Sequence, residues 1–175
     1  MHPRIDEFDA RVDQAFDSVR RPAVDRIFYR ISSAADHSLL WFTFGAARAA
    51  RSGDVAYALR FAGAMAVESV LTNGPIKTLF QRGRPVSETA DGPLPYGMRR
   101  PITSSFPSGH ATAAFTAAVL LAGPNRRGRW YALAAVVAAS RVYVRMHHAS
   151  DVLGGAALGV VMGHAAKRWV RAPRG

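Results

Sequence analysis

A chain of 175 residues is long enough for one domain with a sizeable core. It contains no cysteine, which excludes disulfides and thiolate-held metals. Its 23 Lys and Arg against 12 Asp and Glu leave a formal charge of +11, a surplus that calls for an anionic partner: nucleic acid, anionic lipid or a phosphorylated substrate.

Residues 4–20 set Ile5, Phe8, Val12, Phe16 and Val19 at helical spacing, with Asp6, Glu7, Asp9 and Asp13 between them. The spacing predicts an amphipathic helix, too charged to cross a bilayer and unlike a secretory signal. Pro22 opens a second such helix, with Val24, Ile27, Phe28 and Ile31 on its apolar side. The segment 1–33 is therefore expected as amphipathic helices, and soluble packing suits it as well as a seat in a membrane interface.

Residues 38–50, SLLWFTFGAARAA, are apolar and aromatic. A longer run over 55–80 is interrupted by Arg60, Glu68, Asn73, Pro75 and Lys77. An unpaired carboxylate at Glu68 would be costly, so a structural hydrogen bond to another helix is expected there. Residues 81–107 read as a polar, proline-rich loop. Ala-, Val- and Gly-rich helices follow over 111–123, 130–144 and 152–170, and GPNRRGR at 123–129 breaks the first from the second.

The apolar runs are somewhat shorter than the roughly 20 residues that span a bilayer comfortably. Two features nevertheless favour the membrane. Gly155, Gly159 and Gly163 recur four apart, the small-residue spacing of closely packed membrane helices. Basic residues also gather in the short turns of one side: Arg48 and Arg51, then Arg126, Arg127 and Arg129, then Lys167, Arg168, Arg171 and Arg174. The expected fold is a single all-α domain over 1–175: an integral-membrane bundle of about five to six helices across 34–170, preceded by the amphipathic segment. With the basic turns cytoplasmic, stretches 77–110 and 141–151 meet at the outer face.

Three stretches carry chemistry. KTLFQRGRP, 77–85, holds Lys77 and Arg84 at an apolar boundary, where snorkelling surface cations compete with an anion site as the explanation. SSFPSGHATAA, 104–114, places Pro107 for a first helical turn, with the backbone N–H groups of Ser108, Gly109 and His110 at the positive end of the helix dipole. His110 stands where it could protonate a leaving oxygen, although a capped helix with an incidental histidine fits equally. SRVYVRMHHASDVLGG, 140–155, offers Arg141 as a fork for a phosphoryl group and His147 or His148 as a nucleophile oriented by Asp151, with Ser150 as a helix cap.

Taken in order, these stretches resemble the type 2 phosphatidic acid phosphatase superfamily, whose signature reads K-x6-RP, PSGH and SR-x5-H-x3-D. The match is Lys77 with Arg84-Pro85, then Pro107-Ser108-Gly109-His110, then Ser140-Arg141 with His147 and Asp151. The resemblance implies His147 as the nucleophile that forms a phosphohistidine, Asp151 as its orienting carboxylate and His110 as acid and base. Lys77, Arg84, Ser108, Gly109 and Arg141 would hold the phosphoryl oxygens, with no cofactor and no metal. Positions 148 and 149, often aromatic and proline in that family, are His148 and Ala149 here. His2, His37 and His164 match nothing and are expected to be structural or solvent-facing.

The implied activity is an integral inner-membrane lipid phosphatase acting at the extracytoplasmic face, with the bilayer and a lipid phosphate as partners and no nucleic acid. Polyprenyl diphosphates or phosphorylated polyprenyl-linked sugars of cell-wall synthesis come first as substrates, and phosphatidic acid or phosphatidylglycerol phosphate next. The short, Arg- and Ala-rich chain is similar to small actinobacterial members, among them the decaprenylphosphoryl-phosphoribose phosphatase branch. Vanadium haloperoxidases, soluble acid phosphatases and a non-catalytic basic membrane or nucleic-acid-binding protein are the competing classes.

Overall fold

The computed structural model describes residues 2–85, 102–123 and 127–171, and of His37 only the backbone. The described residues form seven α-helices and no strand: α1 (Pro3–Ser18), α2 (Pro22–Ala34), α3 (Leu39–Ser52), α4 (Val55–Leu71), α5 (Gly109–Leu121), α6 (Arg127–Tyr143) and α7 (Ala149–Val170). A 3-10 turn, Asp36–Ser38, precedes α3, and a π turn, Thr72–Ile76, prolongs α4. The all-α expectation holds, with five helices in the bundle proper. The amphipathic segment, expected to end at residue 33, is resolved into two separate helices that bring the count to seven.

Local sequence explains the boundaries. Pro3 and Pro22 occupy first-turn positions where a missing N–H costs nothing. Gly53 ends α3 in a left-handed conformation, φ 64°, and the Asp54 carboxylate caps α4 through the Tyr57 amide at 2.9 Å. Gly74 and Pro75 distort the end of α4 into the π turn instead of terminating it. Two helical stretches consequently reach bilayer-spanning length, 55–76 and 149–170, each of 22 residues. In the sequence the second of these begins at Val152 and the first is interrupted by Arg60, Glu68, Asn73 and Pro75, so both look shorter as apolar spans. Several apolar side chains on these two helices face outward, among them Leu59, Val67, Val70, Leu153, Val161 and Trp169.

Helix α5 is the central element, with Ala111, Thr112, Ala114 and Ala117 to Leu121 all buried. Helix α7 lies along it on its glycines. A Cβ on Gly155 would stand 2.5 Å from the Ser108 carbonyl oxygen, and one on Gly163 would stand 2.7 Å from the Val119 side chain. Trp41, Tyr57, Phe61 and Met65 fill the opposite side of the core. Glu68, 2% exposed, is paired within its own helix: the Thr72 hydroxyl donates to its Oε1 at 3.1 Å. The expected partner on another helix is replaced by this i,i+4 contact, and Oε2 has no partner among the described residues.

The two ends of the bundle differ. At one end Arg48 donates to the Leu121 carbonyl at 3.0 Å, and Arg171 donates to those of Leu120 at 2.9 Å and Ala122 at 2.5 Å. These basic residues satisfy the orphan carbonyls of the α5 C-terminus, where the helix dipole favours positive charge. At the other end α1 and α2 fold back over α6 and the start of α7. Phe28 stacks on Tyr143 with ring centroids 4.3 Å apart, and Phe16 meets the same ring edge-on. An acidic stripe on α1 latches the helix down: Asp13 and Asp17 each bind Arg145 at 2.5 Å, and Asp9 binds Arg82 at 2.6 Å.

Candidate active site

His147 lies in the turn between α6 and α7, whose Met146 and His147 amides donate back to the Arg141 carbonyl at 3.0 and 3.2 Å. Arg145, in the left-handed region at φ 56°, lets the chain reverse there. The imidazole is 2% exposed, and burial drives its pKa down to about 3, so it is unprotonated at neutral pH. Its Nε2 lies 3.3 Å from Arg84 Nη1, and its Nδ1 lies 3.7 Å from Asp151 Oδ2. Arg84 therefore faces an unprotonated Nε2, which leaves the ring proton on Nδ1, towards the carboxylate.

Asp151 reaches this position as part of a helix cap. His148 is the N-cap of α7, and its amide donates to Asp151 Oδ2 at 2.9 Å. The sequence had suggested Ser150 as the cap. The helix starts two residues earlier and places Ser150 inside it instead, where its amide and hydroxyl both reach Asp9, at 2.8 and 2.7 Å. The other carboxylate oxygen of Asp151 accepts from Arg82.

His110 stands in the first turn of α5, with Nε2 2.8 Å from Asp36 Oδ1. The same carboxylate oxygen lies 3.9 Å from the Arg141 guanidinium, whose Nη1 also donates to the Ser32 hydroxyl. Ser108 caps α5, and its amide donates to the Asp151 carbonyl at 3.0 Å. Of the three amides expected to be open for an anion, this one is already used, because α5 and α7 meet here across Gly155. The Gly109 and His110 amides keep the open positions of a helix N-terminus. A side chain at Gly109 would meet Asn73 Oδ1 at 2.9 Å. Pro107, expected inside the first turn, precedes the cap and follows a cis peptide bond.

Lys77 is buried just beyond the apolar stretch of α4. Burial, reinforced by the like charges of Arg84 and Arg141, lowers its pKa to about 8. Arg84 is anchored by the Met146 carbonyl at 2.7 Å and by those of Thr103 and Ser104 at 3.3 and 3.4 Å. The structure thus brings Lys77, Arg84, Ser108, Gly109, His110, Arg141, His147 and Asp151 to one end of the bundle. Residues 86–101 of the expected 77–110 loop lie outside the described residues, as do Arg126 and Arg174. Among the described residues no cluster of His, Asp and Glu has metal-holding geometry. His2 caps α1, His164 is exposed, and the His37 side chain is outside the described set.

Sequence reasoning missed Asp9, Ser32, Asp36 and Arg82. Asp9 did leave a signal, because it falls on the Ile5–Val12–Phe16 stripe of α1, where a carboxylate is out of place. Arg82 was hidden among the unassigned positions between Lys77 and Arg84. Asp36, in a short polar link, carried no signal.

The fold is shared with solved structures. The transmembrane PAP2-type phosphatidylglycerolphosphate phosphatase from Bacillus subtilis superposes with a TM-score of 0.75 at 23% identity, over 98% of this chain and 89% of that one. LpxE from Aquifex aeolicus gives 0.68 at 24% identity, over 90% and 93%. The lipid A 1-phosphatase of Porphyromonas gingivalis is 38% identical over 81 residues, 41% of this chain. The chain spans only 18% of the length of that relative. The PAP2 superfamily pattern matches residues 57–174, which include all three motifs, and the chain belongs to that superfamily.

Proposed function

We propose that the protein is an integral-membrane lipid phosphatase that removes a terminal phosphate from a polyprenyl-linked or polyprenyl (di)phosphate substrate, without a metal, through a phosphohistidine at His147. The observation that carries this reading is a buried, unprotonated imidazole 3.3 Å from Arg84, in a cluster of cations that also holds Arg141 and Lys77. The Nε2 lone pair of His147 attacks phosphorus while the bond to the lipid oxygen breaks, and His110 delivers its proton to that oxygen. Water then attacks the phosphohistidine, His110 takes the proton, and the P–N bond breaks to release phosphate. The three cations and the Gly109 amide hold the phosphoryl oxygens, supplying electrostatically what a metal ion supplies elsewhere. Two 22-residue apolar helices with outward-facing Val and Leu side chains support membrane integration. The basic end built by Arg48, Arg127, Arg129, Lys167 and Arg171 supports a cytoplasmic position for that end, with the site facing outward across the inner membrane.

A second reading takes phosphatidylglycerol phosphate or phosphatidic acid as the substrate, favoured by the fold shared with the Bacillus subtilis phosphatase. Phosphate release from a panel of polyprenyl diphosphates, polyprenyl-linked phosphosugars, phosphatidylglycerol phosphate, phosphatidic acid and lipid A, in detergent with EDTA, separates the two. The proposal expects preference for the polyprenyl substrates and unchanged rates with EDTA. Preference for a glycerophospholipid selects the second reading, and loss of all activity with EDTA overturns the metal-free mechanism.

A further inference from the structure

Asp9 lies upstream of the matched residues 57–174, on a helix without any motif, yet it is one of the most deeply buried acids in the molecule at 3% exposure. Its Oδ1 accepts from the Ser150 amide at 2.8 Å. Its Oδ2 accepts from the Ser150 hydroxyl at 2.7 Å and from Arg82 Nη2 at 2.6 Å. Arg82 is itself mostly buried, and its Nη1 reaches both Asp151 Oδ1 and the Ser150 hydroxyl. One guanidinium is thus shared between two buried carboxylates, and one of these is the carboxylate facing the nucleophile.

That sharing has a consequence for His147. A buried cation paired with a single carboxylate concentrates its charge there, whereas a second carboxylate divides it. Asp151 is already held by Arg82 on one oxygen and by the His148 amide on the other, and His147 Nδ1 sits 3.7 Å away without a hydrogen-bond partner among the described residues. As His147 becomes a positively charged phosphohistidine, Asp151 must turn part of its negative charge towards it. We infer that Asp9 is a positioning residue for the proposed reaction: through Arg82 it sets how much of the Asp151 charge is available to His147, so that helix α1 completes the active site.

The inference rests on the phosphohistidine reading above, and the test separates the two. Asp9→Asn keeps the shape but removes the charge, so Arg82 binds Asp151 harder and the positive intermediate loses support. In the full chain in detergent, with the best lipid phosphate of the panel, kcat should fall about tenfold or more, in the range of outer-shell partners of reactive histidines, with KM within about twofold. Acid-quenched phosphoenzyme should form more slowly by the same factor. Asp13→Asn, on the same helix face but bound to Arg145, is the docking control and should leave kcat within about twofold even where thermal stability drops. Asp9→Asn combined with Arg82→Ala should be no slower than Arg82→Ala alone, because both act through one link. If Asp9→Asn does not fold, Ser150→Ala trims the same link and should lower kcat about threefold at unchanged KM. Wild-type kcat in Asp9→Asn, an equal fall in Asp13→Asn, or multiplying losses in the double variant would each overturn the inference. A wild-type protein that releases no phosphate from any lipid overturns the functional reading instead.

Discussion

The two histidines of the pocket are held in opposite ways. His147 faces a carboxylate four residues further along the chain, whereas His110 is bonded to Asp36, 74 positions away. The first relation comes from a helix cap, since a residue just before the N-cap and one in the first turn of α7 are close in any chain that starts a helix there. The second exists because the Asp36 turn, between α2 and α3, packs beside the α5 N-terminus. The proposed nucleophile is thus placed beside its carboxylate by local geometry, and the proposed acid–base group by tertiary packing. Loosening α2 should therefore act on His110, whereas loosening α1 should act on the Asp9–Arg82–Asp151 link beside His147.

The largest effect should fall on the locally built half. His147→Ala is expected to abolish turnover, by about 10³-fold or more, because it removes the Nε2 lone pair proposed to attack phosphorus. His148→Ala should keep most activity, since the group that His148 contributes is its backbone amide. Steady-state phosphate release measures both, and equal losses would erase the distinction between neighbours in the turn.

An intermediate effect should fall on the packed half. Asp36→Asn leaves a hydrogen-bonding group beside His110 Nε2 but removes the negative charge that supports the imidazolium form. A kcat loss of about tenfold is expected, below the roughly 10²–10⁴-fold that a general acid–base group itself contributes because the imidazole stays in place, with KM within about twofold. A large rise in KM at unchanged kcat would instead make Asp36 part of substrate binding.

The smallest effect is a pH limb common to both halves. Lys77 is charged below its pKa of about 8, so phosphate binding is complete on the acid side and lost as pH rises through that value. The alkaline fall of kcat/KM should therefore lie near pH 8, and Lys77→Arg should move it upwards because the guanidinium stays charged. A limb that does not move assigns the titration to another group.

The same contrast explains what could be read in advance. Lys77, Arg84, Ser108, Gly109, His110, Arg141, His147 and Asp151 could be singled out because the family signature they resemble fixes their offsets, and the fold brings them to one end of the bundle. The close-packing face of α7 was legible as well in the spacing of Gly155, Gly159 and Gly163, though not that α5 is the helix that packs on it. Asp36 was not, since no periodicity or spacing links a short polar turn to a histidine on another helix. Ser108 was partly misread, because its backbone amide is used by Asp151 across a helix contact that no single stretch reveals. Ser150 was misread by two residues, which turned an expected cap into a partner of Asp9.

The central claim is that His147, and not its neighbour, carries the phosphoryl group. Labelled lipid phosphate mixed with enzyme, quenched with denaturant at alkaline pH to preserve phosphohistidine and mapped by peptide sequencing, tests it directly. The account predicts label on His147 that vanishes in His147→Ala and persists in His148→Ala. Label on His148, or catalysis by the wild-type enzyme with neither histidine labelled at any quench time, would contradict it.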